Sequence, residues 1–386
     1  MRRPLLTLAA ALALAGCSIG DDGGTPPQLG TKAEDDDALA KLGFPSTATK
    51  NTVRVGGDDP VADAAGVASV MFPATSETSR PTAVVLVDSD DWQGAVTAAA
   101  LTANPIGAPM LLTDGDELPP VTEDALERLD PKGSDLSKDA QAIRIGSEPA
   151  RPGGLKTARI EGGDPYELAQ AIDRFVSSAK GRPSADVVVA SGEQPEWAMP
   201  AAAWAAHSGD SVLLTREDSI PGPTREALRA HEKPNIYVLG PPSVISEKVE
   251  RDLRKLGRVR RIEGPTPVQN AIEFARYERG DFGWGVVVPG YNFTLASAER
   301  PLDAAPAAAL ATKGVFAPLL LTDRADELPR PLEDYFLSVQ PGFEDDPGEA
   351  VYNRVWILGD EEALSIEAQA RLDQITELIP VQTNAP

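Results

Sequence analysis

Glycine pairs followed by aspartate open two segments of the chain, Gly56-Gly57-Asp58-Asp59-Pro60 and Gly162-Gly163-Asp164-Pro165. Successive backbone N–H groups in such a turn at a helix start can cradle a phosphate or another anion, which makes Gly57, Asp58, Gly163 and Asp164 candidate ligand contacts. Neither run has Gly-x-Gly-x-x-Gly spacing, and the same residues also describe a tight turn whose aspartate caps the following helix. Asp88, Asp90 and Asp91 follow the β-branched run Ala83 to Val87, at what would be the carboxyl end of a strand, where α/β sheets bind ligands. Their hard oxygens suit calcium, but no EF-hand glycine or distal glutamate accompanies them, and solvated turn charges are the plainer account. Arg258, Arg260 and Arg261 form the densest basic run of the mature chain. Alternation around Val259 puts Arg258 and Arg260 on one face of a strand, for an anionic polymer or for ion pairs within an acidic protein. Trp92 and Trp197, at matching positions before Ala-rich helices, either stack on sugars or pack the core. Catalytic chemistry has little material. The two histidines, His207 and His231, sit in ordinary helical contexts, and no Gly-x-Ser-x-Gly elbow, Walker loop or cysteine cluster occurs. No catalytic residue, resident metal or other cofactor is expected.

Stepping outward to the segments that carry these residues, Arg2 and Arg3 precede an apolar run from Leu5 to Ala15 that is too short to remain as a membrane span and reads as a signal peptide. It ends in Leu14-Ala15-Gly16-Cys17, similar to the bacterial lipoprotein cleavage box, in which the cysteine sulfur receives a diacylglyceryl group. Cys17 is the sole cysteine; a free thiol or an intermolecular disulfide are its other readings. Residues 18–51, rich in Asp, Gly and Pro, read as a disordered tether. The chain has 36 basic and 59 acidic residues; removing Arg2 and Arg3 leaves 34 against 59, a net charge of −25. That disfavours nucleic acid as a partner. An acidic wall polymer would need a local basic patch or bridging cations.

The remaining residues repeat. Ala158-Arg159-Ile160-Glu161-Gly162 returns as Arg261-Ile262-Glu263-Gly264 and, more loosely, as Val53-Arg54-Val55-Gly56-Gly57. Thr113, Thr215 and Thr322 close matching Leu-Leu-Thr segments at intervals of 102 and 107 residues, each followed by an acidic residue and a proline. Within a unit, short apolar runs alternate with helical stretches. In the second these are strands at Ala185–Ala190, Val212–Thr215 and Asn235–Leu239, with helices around Ala201–Ala206, Pro223–Ala230 and Ser243–Leu256. In the third, strands are expected at Gly285–Val288 and Arg354–Leu358. Alternating strands and helices imply right-handed crossovers and parallel sheets.

An Arg-Ile-x-Gly opening, an Ala-rich helix, a Pro-Leu-Leu-Thr strand, an acidic-x-Pro turn and a final strand such as Ile236-Tyr237-Val238-Leu239-Gly240 or Val355-Trp356-Ile357-Leu358-Gly359 together resemble the cell wall binding repeat type 2 family. The resemblance implies three repeats, at 52–156, 157–257 and 258–386, each an α/β unit with a Rossmann- or Toprim-like sheet, packed with pseudo-threefold symmetry. It also implies non-covalent attachment to anionic wall polymers. In that family an aspartate stands near the start of the Ala-rich helix; only Asp303, in the third unit, corresponds to it. The expected protein is a non-catalytic, lipid-anchored envelope protein that binds wall glycopolymer or peptidoglycan. A transporter's solute-binding lipoprotein and an accessory regulator of a wall hydrolase are the alternatives.

Overall fold

Each repeat opens with a short strand, β2 (Thr52–Val55), β6 (Thr157–Ile160) or β10 (Arg258–Ile262). A helix with proline at its first position follows: α1 (Pro60–Met71), α4 (Pro165–Lys180) or α8 (Pro267–Arg276). Proline's fixed φ suits a first helical turn, and the preceding Asp59, Asp164 or Thr266 accepts an N–H of that turn. Next come the central strands β3 (Val84–Asp88), β7 (Asp186–Ser191) and β13 (Asn292–Ser297). The Ala-rich helices α2 (Trp92–Ala98), α5 (Pro195–Ser208) and α9 (Pro301–Ala307) follow them. Strands β4 (Met110–Thr113), β8 (Ser211–Thr215) and β14 (Leu319–Thr322) then lead into helices α3 (Pro120–Leu129), α6 (Gly222–Ala230) and α10 (Arg330–Ser338). The last strands are β5 (Ala142–Ile145), β9 (Asn235–Leu239) and β16 (Arg354–Leu358). Only the second and third repeats add a terminal helix among the described residues, α7 (Glu247–Leu253) and α11 (Ile366–Ile375). Residues 45–55, 57, 59–147, 150–312 and 317–381 are described in this computed structural model, so Cys17, the tether up to residue 44 and Asp58 lie outside them.

The sheets do not follow the repeat boundaries. Three parallel sheets run β4-β3-β5-β6, β8-β7-β9-β10 and β14-β13-β16-β2, so each takes its fourth strand from the opening of another repeat. The third sheet takes β2, from the first repeat, with Val355 to Leu358 in register with Thr52 to Val55. The connectivity is therefore cyclic: residues about 300 positions apart close the ring. A further strand, β1 (Pro45–Ala48), pairs antiparallel along the outer edge of β2.

Helices α2, α5 and α9 pack on one another between the sheets. Their alanines are almost wholly buried, and small side chains let the three backbones approach closely. One continuous core runs through all three repeats, with a smaller one around Trp197 on the outer face of the second sheet. The strands are buried on both faces, as covered parallel sheets are, which is why they read as unbroken apolar runs.

The expected strand at Gly285–Val288 is not one. A hairpin of β11 (Glu278–Arg279) and β12 (Phe282–Gly283) precedes it, Gly283 and Gly285 take φ of +103° and +63°, and Val287 and Val288 are exposed. Left-handed backbone at two glycines ends any extended run there, and the strand forms at β13 instead. Two short strands, β15 (Gly342–Phe343) and β17 (Ile379–Pro380), complete the chain. The terminal helix expected over Ser243–Leu256 is shorter, with Ser246 capping it through Val249 N–H.

Candidate functional site

An arginine stands one residue before the end of each opening strand: Arg54, Arg159 and Arg261. Arg54 is 2% exposed. It donates from Nε to Gln369 Oε1 at 3.0 Å, from Nη1 to the carbonyls of Gly359 (2.9 Å) and Asp360, and from Nη2 to Leu364. Arg261 does the same one sheet away, to Glu250 at 2.9 Å, the Gly240 carbonyl at 2.7 Å and the Ile245 carbonyl at 2.9 Å. Gln369 and Glu250 each lie four residues after the serine cap of a terminal helix, so the guanidinium ties that helix to the strand end. The first repeat has no such helix, and Arg159 is an exposed residue paired with Glu161. In the second and third sheets this arginine is a structural clasp; its signal, an arginine two or three residues before the glycine of every opening, was present in the sequence. Burial pulls the Arg54 guanidinium below its ordinary pKa, against the charges of Glu361, Asp360 and Asp63.

Above these clasps each sheet has a mouth at its carboxyl end, bounded by the opening glycine, the first turn of the Ala-rich helix and the residue after the last strand. The glycines correspond: a Cβ at Gly57 would come within 2.6 Å of Ala62, at Gly162 within 2.2 Å of Leu168 N, and at Gly264 within 2.5 Å of Asn270 N. Close approach of the next helix therefore requires glycine in all three. What fills the mouths differs.

At the mouth of the third sheet, Arg300 occupies the cap position of α9 and reaches Asp303 at 2.8 Å, Asp63 at 2.9 Å and Asp360 at 3.4 Å. Asp63 belongs to α1 of the first repeat, and both it and Asp303 are fully buried. Burial raises both carboxyls, Asp303 to about 6; the charge of Asp303 raises Asp63 further, the hydrogen bond with Asp63 holds Asp303 down, and Arg300 opposes the rise in both. A hydrogen bond between the two lets the pair retain a proton in acid. At the second mouth, Trp197 occupies the helix position that Asp303 holds in α9, and it is buried beneath Gly240, whose Cβ would lie 3.6 Å from the indole. At the first mouth the same helix position is Gly94, and nothing large fills the space. A cavity of about 570 Å³ remains, lined by Asp88, Asp91, Asp116, Ser147, Gly163 and Asp164 among others. Burial raises the Asp91 carboxyl, against its hydrogen bond from Gly94 N–H at 2.7 Å.

Several sequence candidates take specific places here. Gly163 and Asp164 line the open cavity, but Asp164 Oδ1 accepts the N–H groups of Tyr166 (2.9 Å) and Glu167 (2.8 Å). Gly163 N–H donates to Glu167 at 2.9 Å, so an anion at this turn would compete with a carboxylate already seated. In the first repeat the cap is Asp59, and Gly57 lies against Asp63. Trp92 and Trp197 are not at matching positions. Trp92 is the first residue of α2 and half-buried, while Pro195 takes that place in α5 and moves Trp197 to the third, buried position. Arg258 and Arg260 are exposed on β10, away from every mouth, and Arg258 Nε donates to Asn235 at 2.8 Å. Among the described residues no group of three or more His, Cys, Asp or Glu is arranged to hold a metal ion.

The histidines hold more structure than their sequence context shows. His231 is buried with Nε2 2.8 Å from Asp173 Oδ1 and Nδ1 2.8 Å from the Ser184 carbonyl. Burial alone would lower its pKa, but the Asp173 hydrogen bond and charge raise it, favouring an imidazolium that donates at both nitrogens. Ser211 also donates to Asp173 rather than to His231, so the trio is a structural network and not a nucleophile and its base. His207 packs its ring 5.0 Å from Trp284 and 5.6 Å from Trp204.

Three cyclically linked α/β units, with parallel sheets and differently filled mouths, define a repeat protein whose units share one scaffold. Residues 159–250, the second repeat nearly entire, match the family described as Cell wall binding domain 2 (CWB2). Within the chain, that match to the cell wall binding repeat family falls on the second repeat. Residues 1–18 match the prokaryotic membrane lipoprotein lipid attachment site, and no helix among the described residues is long and apolar enough to cross a membrane. This is an exported, membrane-anchored lipoprotein of the cell envelope. A curated relative, "Amidase enhancer" from Bacillus subtilis (strain 168), is 27% identical over 209 residues, which are 54% of this chain and 28% of that protein. Two solved structures share the fold. Cwp8 from Clostridium difficile has a TM-score of 0.65 at 19% identity, covering 85% of this chain and 52% of that one. Cwp6 from Clostridium difficile has a TM-score of 0.65 at 17% identity, covering 87% and 49%. The chain thus spans about half of each solved relative and less than a third of the curated one.

Proposed function

We propose that the protein is a non-catalytic, lipid-anchored envelope protein that binds cell wall glycopolymer or peptidoglycan through its three repeats, 52–156, 157–257 and 258–386, related by a pseudo-threefold axis. Acylation of Cys17 holds it to the outer face of the cytoplasmic membrane, and the tether that precedes β1, residues 18–44 rather than 18–51, lets the body stand off that surface. The observation that carries this reading is the family match across the second repeat together with the same element order in the other two. Among the described residues the first mouth combines open volume with polar walls, and its carboxylates, which do not form a metal site by themselves, would reach an anionic polymer through a bridging divalent cation such as calcium. The family aspartate survives only as Asp303, which is buried in its ion pair with Arg300 and not open to a ligand. Purified mature protein mixed with isolated walls should sediment with them at low and at moderate salt; protein left in the supernatant at both would refute the reading.

The amidase-enhancer relative favours one elaboration, that wall binding here serves a hydrolase. Adding the protein to an amidase digesting walls should then speed the loss of turbidity, with no release of soluble fragments by the protein alone.

A further inference from the structure

Strands β2, β6 and β10 are equivalent, each lying at the edge of a parallel sheet and paired on its inner side with the preceding repeat. In β2 the inward groups belong to residues 51 and 55, whose carbonyls accept from Val355 and Gly359. The alternate residues, Thr52 and Arg54, face outward, and β1 lies antiparallel on them, with Thr47 opposite Arg54 and the Thr52 carbonyl accepting from Thr49 N–H. In β10, Arg258 N–H donates inward to Pro234 and the Ile262 carbonyl accepts inward from Gly240. Val259 and Arg261 therefore present outward the groups that Thr52 and Arg54 give to β1. Among the described residues no strand lies on that edge of β10. Arg258 and Arg260 flank it, both exposed, in a chain of net charge −23.

We infer that the outer edge of β10 is a docking site for an extended, acidic peptide segment of a partner protein, which adds a strand there as β1 does on β2. The ladder groups at Val259 and Arg261 would supply main-chain hydrogen bonds, and Arg258 and Arg260 would select glutamate or aspartate at alternate positions of the incoming strand. The same charges turn away a second copy of this chain, because antiparallel registers centred on residues 259 to 261 set an arginine against an arginine or leave β10 facing its own positive row. The β6 edge lacks this selectivity, since Ala158 stands where β10 has Arg260, and Lys156, where β10 has Arg258, is paired with Asp139. This inference is independent of wall binding and stands or falls apart from it.

The test uses the mature protein and a fluorescent, end-capped heptapeptide of sequence Thr-Glu-Val-Glu-Val-Glu-Thr. Controls are its lysine counterpart and a version N-methylated at the strand-facing amides. Anisotropy should report binding of the glutamate peptide alone, weakened about tenfold in the Arg258→Glu, Arg260→Glu double variant. Hydrogen exchange should slow at the Val259 and Arg261 amides and not at Thr157 or Arg159. Equal melting temperatures for variant and parent would show that folding is intact; if the double variant melts lower, the Arg260→Gln single variant replaces it. Binding of the N-methylated peptide as tight as the parent's, slowing at β6 in place of β10, absence of binding, or concentration-dependent dimerisation relieved by Arg260→Gln would each overturn the proposal.

Discussion

The first and third mouths are built from corresponding positions and have opposite characters. In the third, the cap position of the Ala-rich helix is Arg300, its third residue is Asp303, and Asp63 enters from the first repeat; the space is filled by a buried ion network over a buried clasp, Arg54. In the first, the same positions are Asp91, Gly94 and Leu168, a cavity of about 570 Å³ stays open, and the corresponding Arg159 is exposed. The difference goes with the terminal helix. The second and third repeats have one, and Arg261 and Arg54 clasp it to the strand of the next repeat. The first repeat has none among the described residues, Arg159 clasps nothing there, and the mouth has room for a ligand.

The largest break of this comparison should come from the clasps. Arg54→Met removes the donor to several buried carbonyls and to Gln369 and should cost about 3–5 kcal/mol in urea unfolding. Arg159→Met, at the corresponding but exposed position, should change stability by less than about 0.5 kcal/mol. Equal costs at the two positions would remove the distinction between the joins.

Next in size is Arg300→Met. It leaves Asp63 and Asp303 buried without their cation, for an expected loss of about 3 kcal/mol at neutral pH that shrinks in acid as the carboxyls take up protons. A loss of the same size at low pH would show that the arginine acts by packing alone.

The proton shared by Asp63 and Asp303 gives a third, smaller handle. A carboxyl whose pKa is raised by folding binds more protons folded than unfolded between its two values, so its contribution to stability falls as pH rises through that window. For Asp303, raised to about 6, the fall spans roughly pH 4 to 6 and is on the order of 2 kcal/mol. Asp303→Asn should flatten that part of the stability profile relative to the parent. An unchanged slope would place the pair's titration elsewhere.

How much of this was legible beforehand depended on how far apart the interacting residues lie in sequence. The repeats, the central strands β7, β8 and β9, and the packing role of the Ala-rich helices followed from local patterns, since apolar runs and alanine content report burial directly. Exchange of the opening strands was invisible, because an Arg-Ile segment reads the same whichever sheet it joins, and the Val355 to Thr52 pairing links chain ends. Alternation around Val259 singles out Arg258 and Arg260, yet the member of the run drawn in from solvent is the half-buried Arg261, distinguished only by facing Glu250 and two carbonyls. Trp92 and Trp197 looked equivalent until Pro195 shifted the helix start by two residues. Asp63 carried no signal at all within an alanine-rich helix; its meaning comes from Arg300, 237 positions away.

Wall affinity of the mature protein, measured by sedimentation with purified walls in calcium and in a chelator, for the parent and for the Asp88→Asn, Asp116→Asn double variant, bears most directly on the account. The expected result is calcium-dependent binding that the double variant weakens about tenfold while its unfolding curve stays within about 0.5 kcal/mol of the parent's. Binding that is indifferent to both calcium and the two carboxylates would contradict the assignment of the open mouth as the ligand site.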